Sequence, residues 1–265
     1  SEETIKKFGL GWCERVPWTE KTWYLLHDAG VYKDGHQLIF NRASVPLKNL
    51  TGRIVGFAGR ALEGQPKYIN TPETDIYKKS KYLYGLYESK QAIMKSRSVY
   101  VVEGYTDVMA CHLAGITTAV ATCGTAFGAD HIRIIRRLLM DDDAFRGEVI
   151  FTFDGDAAGQ KAAMKAFGDD QKFVTQTFVA VEPDGLDPCD LRQHKGDLAL
   201  RDLIAKRVPL FEFAIRTELK KHNLDTAEGR VNALNTAAPL VAAIRDKSLR
   251  PEYIKSLAGW LGTEM

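Results

Sequence analysis

Two aspartates separated by one glycine end one of the most apolar stretches of the chain. The stretch reads EVIFTFDGDAAGQKAA, so Asp154 and Asp156 directly follow a run that is typical of a buried strand. A second apolar run, VYVVEG, ends in Glu103 and Gly104, and Asp107 follows about one helical turn later. Carboxylates held close together repel one another unless a cation neutralises them. The spacing therefore favours a metal site.

The donor atoms indicate which ion would suit this site. Carboxylate oxygens suit a hard divalent ion such as Mg²⁺ or Mn²⁺. A later segment, GLDPCD, adds Asp187 and Asp190 after another predicted strand. An Asp-Gly-Asp sequence alone is equally typical of a turn with a helix N-cap, and Asp107 alone is equally typical of a solvated acid in a first helical turn. The recurrence of acids after several strands favours the metal interpretation for the set.

Alternating strand and helix patterns would position these acids. Strands are predicted for VYVVE, TTAVA, EVIFTF and TQTFVAV, and helices for TDVMACHLAG, DHIRIIRRLLM and AAGQKAAMKAF between them. Such alternation implies right-handed crossovers and a parallel sheet. Ligands of open parallel sheets bind outside the carboxyl ends of the strands. We therefore expect the acids to meet at one edge of the sheet.

The segment before this core mixes short strands with turns. Strand-like runs are HQLIF, ASVPL and RIVGFAGRAL, with a hairpin turn at Thr51-Gly52 and a helix from Glu88 to Met94. Four tyrosines interleave with lysines in the segment that follows the hairpin: Tyr68, Tyr77, Tyr82 and Tyr84. For these tyrosines, packing is favoured over base stacking.

The segment after the core is predicted to be helical from about Asp197. One apolar face of it is predicted to comprise Leu234, Ala238, Val241 and Ile244. The predicted division of the chain is a basic α/β subdomain over residues 1–98, a metal-binding subdomain over 99–190 and a helical subdomain over 191–265.

Charge is distributed unevenly along the chain. Residues 1–98 hold 16 Lys and Arg against 10 Asp and Glu, whereas residues 99–182 hold 7 against 12. A basic block beside an acidic block suggests polyanion binding next to cation binding.

Composition excludes several classes of protein. No run of 18 apolar residues is present, so no membrane span is predicted, and no secretion signal opens the chain. The four cysteines form no CxxC pair, so we expect reduced thiols in a cytoplasmic protein and no zinc site. The chain begins with serine, and we expect it to be part of a longer protein.

Several motifs in order along the chain carry a family resemblance. The segments VVEGYTDVMA, ATCGTAFG, FTFDGDAAGQKAA and GLDPCDL resemble the topoisomerase–primase (Toprim) core. Together with GRIVGFAGRAL and PKYINTPETDIYKKSKYLYGL they are similar to the bacterial DnaG-type DNA primase family. The resemblance covers almost the whole chain. It implies an α/β fold with a Toprim-type parallel sheet between a mixed α/β basic subdomain and a helical bundle, and a nucleotidyltransferase that makes short RNA primers from ribonucleoside triphosphates on single-stranded DNA.

The resemblance also implies roles for individual residues. Catalytic acids would be Glu103, Asp154 and Asp156, and the metal ligands or their close support would add Asp107 and Asp187. A basic groove contacting template or nucleotide would comprise Arg42, Arg60, Lys67, Asn70 and Lys79. The chain departs from the family pattern at Cys189, where an Asp-Pro-Asp motif usually has its second aspartate, and in keeping only Arg42 of an arginine-rich strand.

Cofactors and partners follow from the same resemblance. It implies two or more Mg²⁺ or Mn²⁺ ions during catalysis, and a monomer that works at replication forks in the bacterial cytoplasm. A replicative helicase and a single-strand-binding protein would bind through regions expected outside this chain, as would a zinc module. Two alternatives to a primase stay open, a Toprim-type metal-dependent nuclease and a non-catalytic nucleic-acid or nucleotide-binding module. A phosphate-accepting receiver domain is disfavoured, because the strand FVAVEPDG is followed by no lysine.

Overall fold

The computed structural model describes residues 1–17, 19–122, 124–125, 127–139, 147–154, 176–244 and 246–262, with only the backbone at Asp28, Phe153 and Asp154. The predicted helix AAGQKAAMKAF and Asp156 lie outside these residues. Among the helices that are described, none is both long and apolar enough to cross a membrane.

The N-terminal part is built on an antiparallel sheet. Its elements are α1 (Glu2–Phe8), β1 (Gly11–Cys13), α2 (Glu20–Asp28), β2 (Tyr32–Lys33), β3 (His36–Gln37), β4 (Arg42–Lys48), β5 (Ile54–Arg60), β6 (Tyr68–Asn70) and a 3₁₀ turn, Lys79–Lys81. The sheet order is β1-β4-β5-β6, and β2 and β3 form a separate hairpin. The hairpin turn predicted at Thr51-Gly52 is confirmed. Asn49 Oδ1 accepts hydrogen bonds from the backbone N–H groups of Thr51 and Arg53, and Gly52 has φ 88°.

The predicted strand HQLIF is shorter than expected. Strand β3 ends at Gln37, whose side-chain amide donates to the carbonyl of Ile39 at 2.8 Å and to the carbonyl of Glu14 at 2.9 Å. Asn41 then adopts a left-handed conformation with φ 48°. A side chain that bonds its own neighbouring backbone competes with strand pairing, which explains the early end.

The middle of the chain forms the predicted parallel sheet. Its elements are α3 (Leu86–Ser96), β7 (Ser98–Val102), α4 (Tyr105–Leu113), β8 (Ala119–Ala121), α5 (Ala129–Leu139), β9 (Glu148–Asp154) and β10 (Gln176–Glu182). Strands β10, β9, β7 and β8 are neighbours in this order and all run parallel. A fifth strand, β11 (Val208–Pro209), pairs antiparallel with β10 at the edge and was not predicted. Two residues are too few to give a strand pattern in the sequence.

Both faces of this sheet are buried. Tyr100, Val102 and Ile150 belong to the apolar cluster on one face, and Val101 and Phe151 belong to the cluster on the other. Burial on both faces explains the continuous apolar runs that mark these strands in the sequence. Each large apolar side chain buried here contributes about 1.5–3 kcal/mol.

The C-terminal part is helical, with α6 (Pro188–Ala205), α7 (Leu210–Leu219), α8 (Ala227–Ala242) and α9 (Leu249–Leu261). Helix α6 is broken at Gly196, where φ is 81° and ψ is 177°. It begins nine residues before the predicted start at Asp197.

In the first half of α8, the buried face lies one residue before the apolar face that was predicted. Ala233 and Ala237 are fully buried together with Val241, whereas Leu234 is 42% exposed. Both alanines belong to the same apolar cluster as Leu219 of α7. Small side chains at a helix contact allow the two helices to approach closely, so the alanines rather than the leucine face the core.

Aromatic packing joins the two sheets. Tyr84 exchanges backbone hydrogen bonds with Ala121 of β8, and its ring contacts Phe8 of α1 and Tyr105 of α4. Tyr77, Tyr82 and Tyr84 are all less than 10% exposed. The packing interpretation of these tyrosines is therefore confirmed.

A buried polar pair lies behind the same joint. Ser89 of α3 donates to the carbonyl of Ala119 at 2.8 Å, so its oxygen accepts from His112 Nε2 at 3.0 Å. His112 Nδ1 has no hydrogen-bond partner among the residues that the structure describes. Burial and then the positive charge of Lys7 lower the pKa of His112 to about 4. The imidazole is therefore neutral at physiological pH.

Stability should fall in mild acid because of His112. The unfolded chain, with an ordinary histidine pKa of about 6.5, binds the proton more readily than the folded chain. The stability contributed by the neutral His112 side chain is complete above about pH 6.5. It is lost as the pH falls towards 4, which lowers the free energy of unfolding by up to about 3 kcal/mol. Urea unfolding measured across this pH range tests the expected loss of stability. His112→Gln should flatten the profile, whereas the exposed His194→Gln should leave it unchanged. Equal slopes in all three proteins would contradict the assignment.

Candidate metal and nucleic-acid site

The carboxyl ends of β7 and β9 lie side by side. The strands are parallel, with Val101 opposite Phe151, so Glu103 just beyond β7 and Asp154 at the end of β9 reach the same edge. Glu103 is exposed. The structure thus brings the backbones of these two acids together, as predicted, while Asp156 lies outside the described residues.

Asp107 lies in the first turn of α4 and is only 4% exposed. Its Oδ2 accepts a hydrogen bond from the backbone N–H of Gly104 at 2.9 Å, and its Oδ1 accepts one from the backbone N–H of Cys189 at 3.4 Å. A Cβ atom at position 104 would lie 3.1 Å from Asp107 Oδ2, so glycine permits this close approach. The carboxylate therefore links the start of α4 to the start of α6.

A compact donor group lies at the start of α6. Asp187 is the N-cap, and its Oδ1 accepts from the backbone N–H of Asp190 at 2.7 Å, while Pro188 takes the first helical position. One ligand atom from each of Asp187, Cys189 and Asp190 lies within 4.8 Å of the others. Gln193 Nε2 donates to Cys189 Sγ at 3.1 Å.

Two thiols lie close to these acids. Burial raises the pKa of the Cys189 thiol, the hydrogen bond from Gln193 lowers it, and the neighbouring carboxylates raise it further. Burial, with a further contribution from the charge of Asp107, also raises the pKa of the fully buried Cys111. Both residues are free cysteines.

Glu182 supports the loop that leads to Asp187, and the sequence patterns did not identify it. The side chain is 2% exposed, and its Oε2 accepts from the backbone N–H groups of Asp184 and Leu186 at 2.7 and 3.0 Å. Its Oε1 is 3.2 Å from Lys195 Nζ, which also pairs with Asp184 at 2.5 Å. The only feature of the sequence that could have indicated this role is an acid at the end of a strand, directly before a Pro-Asp-Gly turn.

The antiparallel sheet meets this edge through two tyrosines. Arg60, at the end of β5, donates from Nε to Tyr68 Oη at 3.1 Å, and that oxygen lies 3.2 Å from Thr106 Oγ1 in α4. Tyr105 Oη donates to Asn70 Oδ1 at 2.8 Å. Arg60 and Asn70, both predicted for the basic groove, are therefore within two side chains of the first turn of α4. Tyr105 and Thr106 were not identified from the sequence.

The other predicted nucleic-acid-binding residues are Arg42, Lys67 and Lys79, and they lie in two separate parts of the structure. Ala43 pairs with Arg60, and Arg60 pairs with Tyr68, so Arg42 and Lys67 are each one position out of register with Arg60 at the same end of the sheet. Because successive side chains point to opposite faces, Arg60 shares the face of Tyr68 and Arg42 lies on the other face. Arg42 Nη1 donates to the carbonyl of Pro66 at 2.7 Å. Lys79 lies in a different place, against α5. Its backbone carbonyl oxygen accepts a hydrogen bond from His131 Nε2 at 3.4 Å. Through Tyr68, Arg60 reaches the first turn of α4.

The donor set at the start of α6 fits a divalent cation. Asp187 and Asp190 offer carboxylate oxygens, and Cys189 adds a sulfur atom. Asp107 holds this segment to the loop after β7 through backbone N–H groups.

Three family models match consecutive parts of the chain. They are the DNA primase catalytic core, N-terminal domain over residues 1–90, the Toprim domain over 97–180, and the DnaB-helicase binding domain of primase over 211–264. The Toprim match confirms the predicted core. The last match covers most of α7 and all of α8 and α9, and it differs from the expectation that any helicase-binding region lies outside this chain.

Similar proteins agree with these matches. The chain is 50% identical over 274 residues to the DNA primase of Mycobacterium bovis, covering 97% of this chain and 43% of that protein. It is 58% identical over 220 residues to the DNA primase of Streptomyces coelicolor, covering 82% of this chain and 34% of that protein. The chain thus spans less than half the length of these relatives.

A solved structure covers the chain more completely. The RNA polymerase domain of Mycobacterium tuberculosis primase DnaG, crystallised with a double-stranded DNA oligomer that has a 6-nucleotide overhang, is 49% identical with a TM-score of 0.88. The alignment covers 100% of this chain and 87% of that one. The chain therefore belongs to the bacterial DnaG-type DNA primase family and corresponds to its RNA polymerase domain.

Proposed function

We propose that this chain is the catalytic core of a primase, which synthesises short RNA primers from ribonucleoside triphosphates on single-stranded DNA. The main support is the hydrogen-bonded connection from Arg60 and Asn70 to the start of α4, beside the acidic edge. Arg60 reaches Thr106 through Tyr68, and Asn70 bonds Tyr105, next to Glu103 and Gly104. Nucleotidyl transfer needs phosphate-binding cations beside metal-binding acids. The DNA in the related M. tuberculosis structure also supports a nucleic-acid substrate.

The acids of the sheet edge would hold the metal. Glu103, Asp154 and Asp156 are the proposed catalytic ligands, with Asp187 at the start of α6. Bound Mg²⁺ or Mn²⁺ would activate a 3′-hydroxyl and stabilise the charge that develops on the departing pyrophosphate. The chain's own cations would act on the polyphosphate. Arg60, already oriented by Tyr68, offers its remaining N–H groups to phosphate oxygens.

Asp107 has a positioning role in this proposal. Both of its oxygens accept backbone N–H bonds, one from Gly104 and one from Cys189. The side chain therefore fixes the distance between the loop after β7 and the start of α6.

Nucleic acid would approach the end of the antiparallel sheet where Arg42, Arg60 and Lys67 lie. These side chains contribute charge without reading bases, so binding should depend on salt more than on sequence. Lys79 would contact the nucleic acid separately, on the side of α5.

The C-terminal helices are proposed to contact the replicative helicase. The match of residues 211–264 to the DnaB-helicase binding domain of primase supports this assignment. Four large apolar residues on this part are exposed, as a protein-binding surface requires: Val231, Leu234, Leu249 and Ile254. Binding of single-strand-binding protein, the monomeric state and a cytoplasmic location stay predictions from the resemblance.

Primer synthesis with an Asp154 variant is the first test. Wild-type protein should make template-dependent oligoribonucleotides from four ribonucleoside triphosphates with Mn²⁺ on single-stranded DNA. Asp154→Asn removes a metal-binding charge and should reduce the product by at least about a hundredfold. Asp225→Asn, at an exposed loop position, is the control. DNA cleavage without RNA product would favour a nuclease, and tight DNA binding without either reaction would favour a non-catalytic module.

Substitution of Asp107 should cost stability as well as activity. Asp107→Ala leaves the Gly104 and Cys189 N–H groups without this acceptor and should lower the free energy of unfolding by about 1–3 kcal/mol. Asp107→Asn keeps one acceptor oxygen and should cost less. Urea denaturation measures both, with Asp225→Ala as the control. An identical loss in the two Asp107 variants would argue against the hydrogen-bonding role.

Removal of the Arg60 charge should weaken binding equally for all template sequences. Arg60→Gln should lower the affinity for single-stranded DNA and reduce the slope of log affinity against log salt by about one unit. Fluorescence anisotropy at several salt concentrations tests this, with Lys255→Gln on α9 as a distant control. An unchanged slope would remove Arg60 from the nucleic-acid path.

A further inference from the structure

A cavity of about 570 Å³ opens at the outer edge of the parallel sheet, where β10, β11 and α7 meet. This volume is within the range of ligand-binding clefts in proteins. Its floor is apolar. Val179 belongs to the apolar cluster on this face of the sheet, and Val181 and Phe213, both half-buried, pack against it. The cavity therefore offers apolar surface that the fold covers only in part.

The strand beneath the cavity has an edge that is paired over only part of its length. β10 pairs with β9 from end to end, whereas β11 pairs with Phe178 and Val179 alone. Within the described part of the chain, no strand pairs with residues 180–182 on this outer side. An extended peptide can add to such an edge through backbone hydrogen bonds, with alternate side chains directed to one face. The stretch around Val181 is suited to this kind of binding.

The walls of the cavity are cationic. Three exposed lysines line it: Lys206, Lys220 and Lys221. Lys221 pairs with Glu218 at 2.6 Å, whereas Lys206 and Lys220 form no ion pair with the residues that the structure describes. None of the described residues that line the cavity is acidic. Ammonium groups beside apolar surface complement a ligand that is both acidic and apolar.

The acids nearest in sequence leave this positive charge in place. Glu182 directly follows Val181, but it is 2% exposed and lies 3.2 Å from Lys195 Nζ. Asp184 pairs with the same lysine. These carboxylates are therefore already engaged by a cation that does not line the cavity.

We propose that this cavity binds an acidic segment of a partner protein in an extended conformation. An apolar side chain of the segment would lie against Val181 and Phe213, and its carboxylates would pair with Lys206 and Lys220. Nucleic acid fits less well, because bases stack on aromatic rings and Phe213 is the one aromatic residue among the described lining residues. An apolar chain with carboxylates is a peptide's chemistry.

This surface is distinct from the other sites proposed for the chain. No described lining residue belongs to the proposed metal or nucleic-acid site, and the exposed apolar residues proposed to contact the helicase lie on α8 and α9 and after α8. The inference therefore goes beyond the proposed function and is tested without primer synthesis.

Fluorescence anisotropy with a labelled peptide in which valines alternate with glutamates tests the site. The wild-type chain should bind it more tightly than a peptide with serines for the valines, or one with lysines for the glutamates. Lys206→Glu combined with Lys220→Glu should weaken binding about tenfold or more and should favour the lysine peptide. Thr217→Trp, at a half-buried position in the cavity wall, should block binding without a change of charge. Lys33→Glu, at an exposed lysine of β2, should bind as the wild type does.

Urea unfolding establishes that each variant is folded. No binding by the wild type, or undiminished binding by the folded charge-reversed and Trp variants, would overturn the proposal. Equal binding of the serine peptide would reject the apolar contact. Tighter binding of single-stranded DNA or of phosphatidylglycerol vesicles, lost in the same variants, would assign the cavity to that ligand instead. Displacement of the peptide by purified replicative helicase would reject a separate partner. A failure in any of these assays leaves the proposed primer synthesis unaffected.

Discussion

The Asp107 carboxylate is the contact on which the arrangement of the site depends. One oxygen accepts from Gly104, just after the first strand of the parallel sheet, and the other accepts from Cys189 at the start of α6. These two segments are more than eighty residues apart in the chain. Because Asp107 is only 4% exposed, water cannot readily replace either of these hydrogen bonds. The geometry of the donor groups therefore follows from one buried side chain more than from the strands themselves.

The second constraint is the contact between the two sheets. Tyr105 and Thr106 begin α4, and their hydroxyl groups meet Asn70 and Tyr68 of the antiparallel sheet. A short helix thus lies between Glu103, which precedes it, and Arg60, which bonds Tyr68. Because aromatic rings pack behind these hydroxyl groups, the polar contacts lie on a rigid support.

Much of the fold could be predicted because strand burial and helix periodicity leave clear patterns. The parallel strands were identified correctly, since both faces of β7 and β9 are apolar, and so was the shared edge of Glu103 and Asp154. The subdomain boundaries and the individual site roles stay predictions. The sequence patterns could not show features that depend on contacts between residues far apart in the chain. Ala233 faces the core instead of Leu234 because α7 approaches closely there, and Tyr105 meets Asn70 only because the two sheets pack together. The two-residue strand β11 has no pattern to detect.

The break in α6 divides it into two helical segments with different surroundings. Gly196 has a backbone conformation, φ 81° and ψ 177°, that is essentially restricted to glycine, so the helix is two helices set end to end. The first carries Asp187, Cys189 and Asp190, and the second buries Leu200 and Leu203 in the core. The acids near the sheet edge and the leucines of the core therefore belong to two separate helical segments that a single glycine joins.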